Sequence, residues 1–417
     1  MKILLYGINF APELAGIGKY TGELAAWLDG QGHTVRVVTA PPYYPAWAIS
    51  LGYSGRSYCT QQWLGVTVYR CPLWVPGQPG GLKRLLHLAS FALLSLPTLL
   101  RQLFWRPQLV WVVEPALFCA PAAVLVARLS GARAWLHVQD FEVDAAFSMG
   151  LLRGAWLRRL VAGAEGWLMR RFDVVSTISQ RMHQRLLAKG VDPQRARLAV
   201  NWVDMVQFAL PSVAGVAAWR RELGIADDAA VALYSGNMGN KQGLDVLAEV
   251  ARLCGPVQPG LAGARSIVFV FCGDGTGRAD LVARCQGLAH VQFLKLQPAS
   301  RLPDLLAMAD IHLLPQRADA ADLVMPSKLT GMLASARPVV ASAHPGTELA
   351  TVVQGCGLVV PPENPQAMAD AVRTLAQDPD LCERLGAAGF LYAKAHLDKS
   401  AVLEKFEAEL LALVAPA

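Results

Sequence analysis

The fold class of this chain is indicated most clearly by residues Ala230-Val-Ala-Leu-Tyr-Ser235-Gly236-Asn-Met-Gly-Asn-Lys241-Gln-Gly243. Its first six residues are apolar or small and predict a buried strand, and a helical pattern of apolar residues begins at Leu244. A glycine-rich turn from a strand into a helix offers backbone N–H groups to a phosphate, and Lys241 would add a cation. The alternative is a solvated turn with a surface lysine.

Short apolar strands alternate with helical segments on both sides of this turn. Such an alternation predicts parallel, doubly wound sheets. Before the turn, strands are predicted at residues 2–8, 34–39, 66–70, 108–113, 134–138 and 174–178. After it, they are predicted at residues 267–271, 290–294, 311–314, 338–341 and 357–360.

The length of the chain fits two such sheets. With 417 residues, it suits two domains of roughly 200 residues each. We predict an α/β protein with a Rossmann-like N-terminal domain, residues 1–205, and a Rossmann-like C-terminal domain, residues 206–395. A final helix, residues 396–417, could pack back on the first domain. Ligands bind outside the carboxyl ends of strands in such sheets, so we expect an interdomain cleft.

The composition excludes several classes of protein. Hydrophobic residues make up 53% and charged residues 17% of the chain, which is typical of a globular protein. The eight cysteines include no C-x-x-C pair, so we predict reduced thiols in a cytoplasmic protein, without a zinc site or a disulfide framework. Asp378-Pro379-Asp380 is the only D-x-D and is predicted to start a helix, so no metal is expected.

Basic residues dominate the first half of the chain. No acidic residue lies between Asp29 and Glu114, and the basic residues there flank apolar stretches. This pattern favours an anionic membrane surface as partner and argues against nucleic acid. The most apolar stretch, residues 85–100, is about 16 residues long, whereas a spanning helix needs roughly 20. We therefore expect peripheral or monotopic attachment to the inner face of the cell membrane, through Lys83, Arg84, Arg101 and Arg106.

Two further segments suit the same interface. Trp156 and Trp167 are each followed by a pair of arginines at helical spacing. The alternative is that residues 82–100 form a buried core helix and that the arginines form a solvated face.

Two more turns could hold an anion at the start of a helix. Gly16 and Gly18 lie between the first strand and the first helix, where backbone can approach a ligand closely, although a tight turn is the alternative. In Pro326-Ser327-Lys328, Ser327 is predicted to cap the next helix and Lys328 to lie near its positive end. That arrangement suits a diphosphate, and an ordinary capped helix is the alternative.

Polar residues follow the strand predicted at residues 134–138. The segment His137-Val-Gln-Asp140-Phe-Glu142-Val-Asp144 places three carboxylates on a loop at the end of that strand. Carboxylates in such a loop could bind sugar hydroxyls. A solvated loop is the alternative.

In their order along the chain, these motifs resemble those of the retaining GT4 glycosyltransferases, which have the GT-B fold. The resemblance covers nearly the whole chain and includes Phe271-Cys-Gly-Asp-Gly275, Arg337-Pro-Val-Val-Ala-Ser and Gly346-Thr-Glu348. Three further segments resemble the WcaI-type subgroup of colanic acid and related exopolysaccharide synthesis: Ala40-Pro-Pro-Tyr-Tyr-Pro45, Leu82-Lys-Arg-Leu-Leu-His87 and Trp135-Leu-His-Val-Gln-Asp140.

The resemblance implies transfer of a sugar from a nucleotide diphosphate donor to a polyprenyl-diphosphate-linked saccharide, with GDP-fucose as one candidate donor. It implies no protein nucleophile, because fixed cations and helix-end N–H groups stabilise the leaving diphosphate. It also implies no cofactor, since the nucleotide sugar is a substrate. The predicted catalytic residues are Asp140, Lys241 and Lys328. Donor binding is predicted for Gly16, Gly18, Gly236, Asn237, Gly273, Asp274, Asp322 and Ser327, and acceptor binding for His137, Glu142 and Asp144.

The chain departs from the family pattern at two places. Most GT4 members carry two glutamates spaced E-x7-E, and the matching positions here are Leu323 and Gly331. Glutamate contacts to the donor are therefore missing or supplied elsewhere, with Asp322 as the candidate. Gly236-Asn237 also replaces the usual glycine-arginine pair, which leaves Lys241 and Lys328 as candidate phosphate cations.

Two other functions remain open from the sequence. A nucleotide-sugar epimerase can share this fold and would turn over its substrate without an acceptor. A non-catalytic protein that binds a sugar nucleotide or a lipid is compatible with the missing glutamates. Release of nucleotide that depends on an acceptor would distinguish a transferase from both.

Overall fold

The computed structural model describes residues 1–13, 16–77, 80–114, 118–141, 143–144, 147, 154–208, 212–239, 242–255, 265–318 and 326–415. The chain divides into two compact units. Unit 1 comprises Met1–Val200 together with Val402–Ala417, and unit 2 comprises Asn201–Ala401. The end of the chain therefore belongs to the same unit as its beginning.

Within the described residues of unit 1, the strands form one eight-stranded sheet in the order β3-β4-β2-β1-β5-β6-β7-β8. The strands are β1 (Lys2–Tyr6), β2 (Thr34–Thr39), β3 (Cys59–Trp63), β4 (Val66–Arg70), β5 (Leu109–Glu114), β6 (Arg133–Val138), β7 (Val174–Thr177) and β8 (Ala196–Leu198). Neighbouring strands run parallel, except that β3 pairs antiparallel with β4 at one edge. The central strand β1 is almost wholly buried, which is why it is a continuous apolar run.

Unit 2 is built on a parallel sheet, six-stranded in the part of the chain described, in the order β11-β10-β9-β12-β13-β14. Its strands are β9 (Ala230–Ser235), β10 (Ile267–Cys272), β11 (Val291–Leu294), β12 (Ile311–Leu314), β13 (Val339–Ser342) and β14 (Gly357–Val360). Alternate residues of β9 enter two different cores: Val231 and Leu233 join one, and Ala232 and Tyr234 join the other. Both faces of this sheet are therefore covered, as a doubly wound fold requires.

Helices connect these strands. Those of the described part of unit 1 are α1 (Ile17–Gly30), α2 (Gly81–Arg101), α3 (Ala120–Ser130), α4 (Ala155–Met169) and α5 (Gln180–Ala188). From the start of unit 2 onward they are α6 (Met205–Phe208), α7 (Val213–Glu222), α8 (Leu244–Leu253), α9 (Arg278–Arg284), α10 (Leu302–Met308), α11 (Lys328–Ala334), α12 (Glu348–Val353), α13 (Pro365–Gln377), α14 (Pro379–His396) and α15 (Lys399–Val414). Two 3₁₀ turns, Gln102–Phe104 and Ala299–Arg301, extend α2 and precede α10.

The predicted fold class is confirmed, because each unit is a Rossmann-like α/β sheet. Among the strands of the described residues, β3 and β8 are the two that the sequence does not predict. Strand β3 is a mostly exposed edge strand with the polar sequence Cys-Thr-Gln-Gln-Trp, so it carries no apolar alternation. Strand β8 has only 3 residues, which is too short for a periodic signal.

The winding direction of each sheet reverses at one point. In unit 2 the strands on either side of this switch point are β9 and β12, and in unit 1 they are β1 and β5. Loops that leave the carboxyl ends of such strand pairs diverge and leave room for a ligand. The glycine-rich turn after β9 and the glycine turn before α1 therefore both lie where open α/β sheets bind their ligands.

Helix α2 packs on unit 1 through one face only. His87, Leu88, Phe91, Ser95 and Leu99 are buried, and Ser95 Oγ lies 2.7 Å from the Tyr6 hydroxyl in a hydrogen bond. Among the described residues, the helical stretch Gly81–Phe104 is long and apolar enough to cross a membrane by length and composition, and 33% of its most apolar window is buried. The alternative that residues 82–100 form a buried core helix therefore holds for one side of α2.

Candidate functional site

Lys328 begins α11, and its side chain lies against the turn that follows β9. The Nζ atom is 4.1 Å from the centre of the Tyr234 ring. A Cβ added to Gly236 would lie 3.3 Å from Lys328 Cδ, and Gly236 has a φ of 138°. A side chain at position 236 would therefore be strained and would press on the lysine, so glycine is required here.

The Lys328 ammonium group is buried and makes no hydrogen bond to any residue in the described part of the chain. Burial of a charge without a partner disfavours the charged form. Burial accordingly lowers the pKa of Lys328 to about 7. An anion bound beside Nζ would supply the missing acceptor, which is the arrangement that a phosphate-binding lysine needs.

Tyr234, which the sequence analysis does not single out, supports both the lysine and the turn. Its ring face receives the Lys328 ammonium, a cation–π contact. Its hydroxyl donates a 2.6 Å hydrogen bond to the carbonyl of Asn237 and so holds the turn against the strand. Tyr234 is the second-last residue of a predicted buried strand, so the sequence predicts only core packing for it.

The turn after β10 packs on the turn after β9. A Cβ at Gly273 would lie 2.0 Å from the Gly236 carbonyl oxygen, and one at Gly275 would lie 2.7 Å from Asn237 Oδ1. The N–H of Met238 donates to the Asp274 carbonyl at 2.8 Å, and the Asp274 side chain accepts from its neighbour Gly275 N–H at 2.8 Å. These glycines are explained by the close approach of two turns, and donor binding by Gly273, Asp274 and Asn237 stays a prediction.

The prediction that Ser327 caps α11 is wrong. Ser327 has helical φ and ψ of −59° and −24°, and its side chain makes no capping hydrogen bond within the described residues. A capping serine needs extended backbone so that its hydroxyl can turn back to the helix N–H groups. The Thr330 hydroxyl donates instead to the Ser327 carbonyl at 2.9 Å. A contact between Ser327 and the donor stays a prediction.

Three predicted site residues, Lys241, Asp322 and Glu142, lie outside the described residues, as does Leu323. The second position of the family's glutamate pair, Gly331, is described. A Cβ there would lie 3.1 Å from Leu306 Cδ1 and 3.8 Å from Phe208 Cζ. A glutamate at this position would meet apolar side chains, which is consistent with its absence from this chain.

Arg317 is a further cation near the switch point that the sequence analysis does not identify. It follows β12 closely and is exposed. A Cβ at Gly243, the residue before α8, would lie 3.6 Å from Arg317 Cγ. The signal in the sequence is a basic residue three positions after a buried strand, and it becomes informative only once β12 is known to neighbour β9.

In unit 1, His137 is buried near the end of β6. Gln139 Nε2 donates to His137 Nε2 at 3.0 Å, so His137 Nδ1 donates to Ser176 Oγ, 2.8 Å away. The imidazole stacks on Trp111 with ring centres 5.3 Å apart. Burial lowers the pKa of His137 to about 3, so the ring is neutral. Its acceptor role stays a prediction, and from this position it would act through Gln139.

Asp144 is held in ion pairs of unit 1. Its Oδ2 lies 2.9 Å from Arg185 Nε and 3.0 Å from Lys189 Nζ. Burial alone would raise the pKa of this carboxyl, but Lys189 and Arg185 outweigh it and hold the pKa below its usual range. Asp140 is half-buried just beyond β6. The arrangement makes Asp144 an anchor for the loop that carries Asp140, and acceptor contacts of both stay predictions.

The glycine turn before α1 packs on its own loop. Gly16 has a φ of 62° and immediately precedes the helix. A Cβ at Gly18 would lie 2.5 Å from Glu13 Oε2. The backbone of the turn is therefore shaped by a buried carboxylate, while its predicted contact with the donor stays a prediction.

The predicted membrane residues lie at the two ends of α2. Lys83, Arg101 and Arg106 are exposed, and Arg84 is half-buried. Between them, the face of α2 that points away from the sheet exposes leucines, including Leu93, which is 70% exposed. Phe104, in the 3₁₀ turn after α2, is 92% exposed. Trp156 and Trp167 on α4 are also exposed.

Comparison with protein families gives two matches that together span most of the chain. Residues 15–202 match the model described as a glycosyl transferase 4-like domain. Residues 216–391 match the model described as glycosyl transferases group 1. The chain is also 42% identical, over 414 residues, to the Escherichia coli (strain K12) protein named colanic acid biosynthesis glycosyl transferase WcaI, covering 97% of this chain and 98% of that protein.

Solved structures of similar fold cover the chain from end to end. Sucrose-phosphate synthase from Thermosynechococcus elongatus aligns with a TM-score of 0.76 at 16% identity, over 99% of this chain and 98% of that chain. Anabaena Alr3699/HepE in complex with UDP-glucose aligns with a TM-score of 0.72 at 15% identity, over 99% of this chain and 100% of that chain. At these identities the likeness concerns the fold.

Proposed function

From the premise that the chain belongs to the GT4-type glycosyltransferases, as the two family models and the WcaI relative show, we propose its substrates. The chain transfers a sugar from a nucleotide diphosphate donor to a lipid-linked saccharide during synthesis of colanic acid or a related exopolysaccharide. The pathway is that in the name of the E. coli relative, 98% of whose length is covered by the match to this chain.

The observation that carries the donor class is the buried, unpaired ammonium of Lys328. Among the described residues, no carboxylate or carbonyl accepts a hydrogen bond from it. It lies at the switch point of the unit 2 sheet, where Rossmann-like sheets bind nucleotides. A diphosphate would pair with this cation, and Arg317 and Lys241 would contribute further positive charge.

Glycosyl transfer at this site relies on stabilisation of the leaving group. As the bond from sugar to diphosphate breaks, negative charge grows on the diphosphate, and the preorganised Lys328 ammonium stabilises that charge. Asp140 would orient the acceptor hydroxyl. We propose that no metal is needed. In support, the first carboxylate of the only D-x-D, Asp378, accepts a 2.9 Å hydrogen bond from Leu381 N–H as the cap of α14.

We propose that unit 1 rests on the inner leaflet of the cell membrane through the outer face of α2 and the turn after it. Exposed leucines and Phe104 would enter the interface, and Lys83, Arg101 and Arg106 would meet anionic headgroups. We propose that only the outer face of α2 contacts the membrane. The opposite face of α2 is committed to the sheet, for example through the Tyr6–Ser95 hydrogen bond.

The purified protein tests this function when it is incubated with GDP-fucose or UDP-glucose, with and without a lipid-linked saccharide fraction. GDP-fucose is the donor that the WcaI-type resemblance suggests, and UDP-glucose is the ligand of HepE. We expect release of nucleoside diphosphate and gain of one sugar by the lipid only when both substrates are present. Conversion of a donor without an acceptor would indicate an epimerase, and binding without any turnover would indicate a binding protein.

A further inference from the structure

A buried carboxylate, Glu13, lies in the loop after β1 and plays no part in the donor site described above. Its side chain is almost fully buried, since the residue is 6% exposed. Oε1 accepts hydrogen bonds from the backbone N–H groups of Tyr43 and Tyr44, each at 3.1 Å. Oε2 accepts from Asn9 Nδ2 at 2.9 Å. One carboxylate thus joins the loop after β1 to the loop after β2.

The same carboxylate touches the glycine turn at the start of α1. A Cβ at Gly18 would lie 2.5 Å from Glu13 Oε2. A Cβ at Gly16 would lie 3.8 Å from the ring carbon Cε1 of Tyr44, whose own N–H is held by Glu13. Glu13 therefore contacts the turn directly at Gly18 and indirectly at Gly16.

Arg70 joins the same two loops through separate hydrogen bonds. It ends β4 and is 2% exposed. Its Nη1 donates to the Ala40 carbonyl at 2.8 Å, and its Nη2 donates to the Ala11 carbonyl. Ala40 follows β2 and Ala11 follows β1, so a buried cation and a buried anion both join these loops. The positive charge of Arg70 also favours the ionised form of Glu13.

We propose that Glu13 is a positioning residue for glycosyl transfer, whose ionised carboxylate holds the Gly16–Gly18 backbone in the shape that receives the donor diphosphate. The physical reason is that the hydrogen bonds from Tyr43, Tyr44 and Asn9 fix the carboxylate against the turn, and hydrogen bonds to a carboxylate are roughly twice as strong as those to a neutral group. A negative charge at the start of α1 is also stabilised by the helix dipole. The inference rests on the proposed function, because it presumes that this turn meets the donor.

The ionisation of Glu13 falls in the neutral range. Burial raises the pKa of this carboxyl to about 7, although the N–H donors and Arg70 oppose the rise. Other ionisable groups on the elements around it include Lys19, Tyr20, Glu23 and Asp29 of α1, where the Lys19 and Glu23 side chains lie 3.9 Å apart. The phenols of Tyr43 and Tyr44 follow β2, and the ring of Tyr53 lies beside Arg70. Glu13 is therefore an anion above about pH 7 and loses its charge below it.

The experiment compares the wild type with Glu13→Gln, which keeps the size of the side chain and removes its charge. With a donor and acceptor that the wild type turns over, we expect KM for the donor to rise about tenfold, while kcat changes by less than about twofold. The ratio of the two KM values should be largest above pH 7 and approach one below it, because the wild-type carboxyl is then neutral too. Titration of Lys328 occurs in both proteins and cancels in this ratio.

Glu23→Gln removes a carboxylate from the same helix, 3.9 Å from Lys19, and is the matched control that should leave both constants unchanged. Asn9→Ala retains the carboxylate but removes one N–H donor, so the midpoint of the KM profile should move to higher pH. It also provides a second test if Glu13→Gln does not fold.

Three outcomes separate the alternatives. A Glu13→Gln protein with wild-type KM, kcat and pH profile would overturn the positioning role. So would a pH-independent fall in kcat that parallels a lower unfolding temperature, since this would mark a purely structural carboxylate. If the wild type itself neither binds nor turns over any nucleotide sugar, the proposed function fails, and with it the premise for Glu13.

Discussion

Lys328 holds its ammonium group in a buried place where no described residue accepts a hydrogen bond from it. We expect Lys328→Met to weaken binding of a nucleoside diphosphate about 100-fold, since a hydrogen bond between charged groups contributes roughly 1.5–3 kcal/mol. Binding of the parent nucleoside, which lacks phosphate, should be nearly unchanged. Isothermal titration calorimetry measures both affinities.

The matched control for Lys328 is Lys394→Met, since Lys394 is an exposed lysine on α14 of the same unit. That variant should bind both ligands like the wild type. Equal weakening of nucleoside and nucleoside diphosphate by Lys328→Met would contradict the assignment of the lysine to the phosphates.

The same lysine should couple donor binding to proton uptake. Burial lowers the pKa of Lys328 to about 7, so at pH 8 most of the free protein carries it neutral. A bound diphosphate favours the charged form and raises this pKa, so the complex takes up a proton from solution. Affinity should therefore fall as the pH rises above about 7, by up to about tenfold per pH unit.

Calorimetry at about pH 8 in two buffers of different ionisation enthalpy reports this proton directly. We expect an uptake approaching one proton for the wild type and close to none for Lys328→Met. Equal heats in both buffers for the wild type would show that the lysine is charged before the ligand arrives.

At the scale of a single element, α2 divides its apolar residues between two faces. One face packs against the sheet through Phe91 and Leu99, and the other exposes Leu86 and Leu93. Replacing Leu86 and Leu93 by glutamine should therefore leave the fold intact and weaken binding to anionic vesicles. We expect roughly fivefold weaker binding per leucine, about 1 kcal/mol each for an apolar side chain withdrawn from the interface.

Sedimentation with vesicles of increasing anionic lipid content measures this binding. Replacing Lys83, Arg84, Arg101 and Arg106 by glutamine should also release protein, by about 1 kcal/mol per charge, and added salt should reverse only this part. Leu391→Gln on α14, where the leucine is equally exposed, should have no effect. Quantitative recovery of the wild type in the supernatant at low salt would refute the membrane contact.

On the scale of the whole molecule, the two units are not consecutive segments, because the last helix, α15, ends in unit 1. Phe406 on α15 packs against Trp135 and Trp111, with ring centres 5.1 Å and 5.9 Å away. We expect Phe406→Ala to lower the stability of unit 1 by about 3 kcal/mol, because it leaves a cavity between two tryptophans. Differential scanning calorimetry should show one transition moving to lower temperature.

Leu411 lies on the same helix and is 48% exposed. Leu411→Ala should leave that transition nearly unchanged, since little apolar contact is lost. If Phe406→Ala moved no unfolding transition, the contact of Phe406 with the two tryptophans would not stabilise unit 1. If the whole chain unfolded at a lower temperature in a single step, the effect would not be specific to unit 1.

Local sequence patterns are sufficient to predict the class of fold and the order of its elements. Strands such as 34–39, 230–235 and 311–314 are predicted with the bounds that the structure has. They are short runs rich in apolar and β-branched residues, with a glycine or proline within two positions after each run, and such a pattern depends only on near neighbours in the chain. The same local patterns identified the glycine turn after β9, Lys328 and the family.

What the chemical groups can do, in contrast, depends on the tertiary structure. Three features depend on contacts between different strands and loops. They are the burial of the Lys328 ammonium over Tyr234, the raised pKa of Glu13 and the approach of Arg317 to the switch point. The tertiary structure also shows that Ser327 does not cap α11 and that α2 has one packed and one exposed face. Local sequence sets which backbone conformations are favourable, but burial and ionisation depend on side chains that the fold brings together from far along the chain.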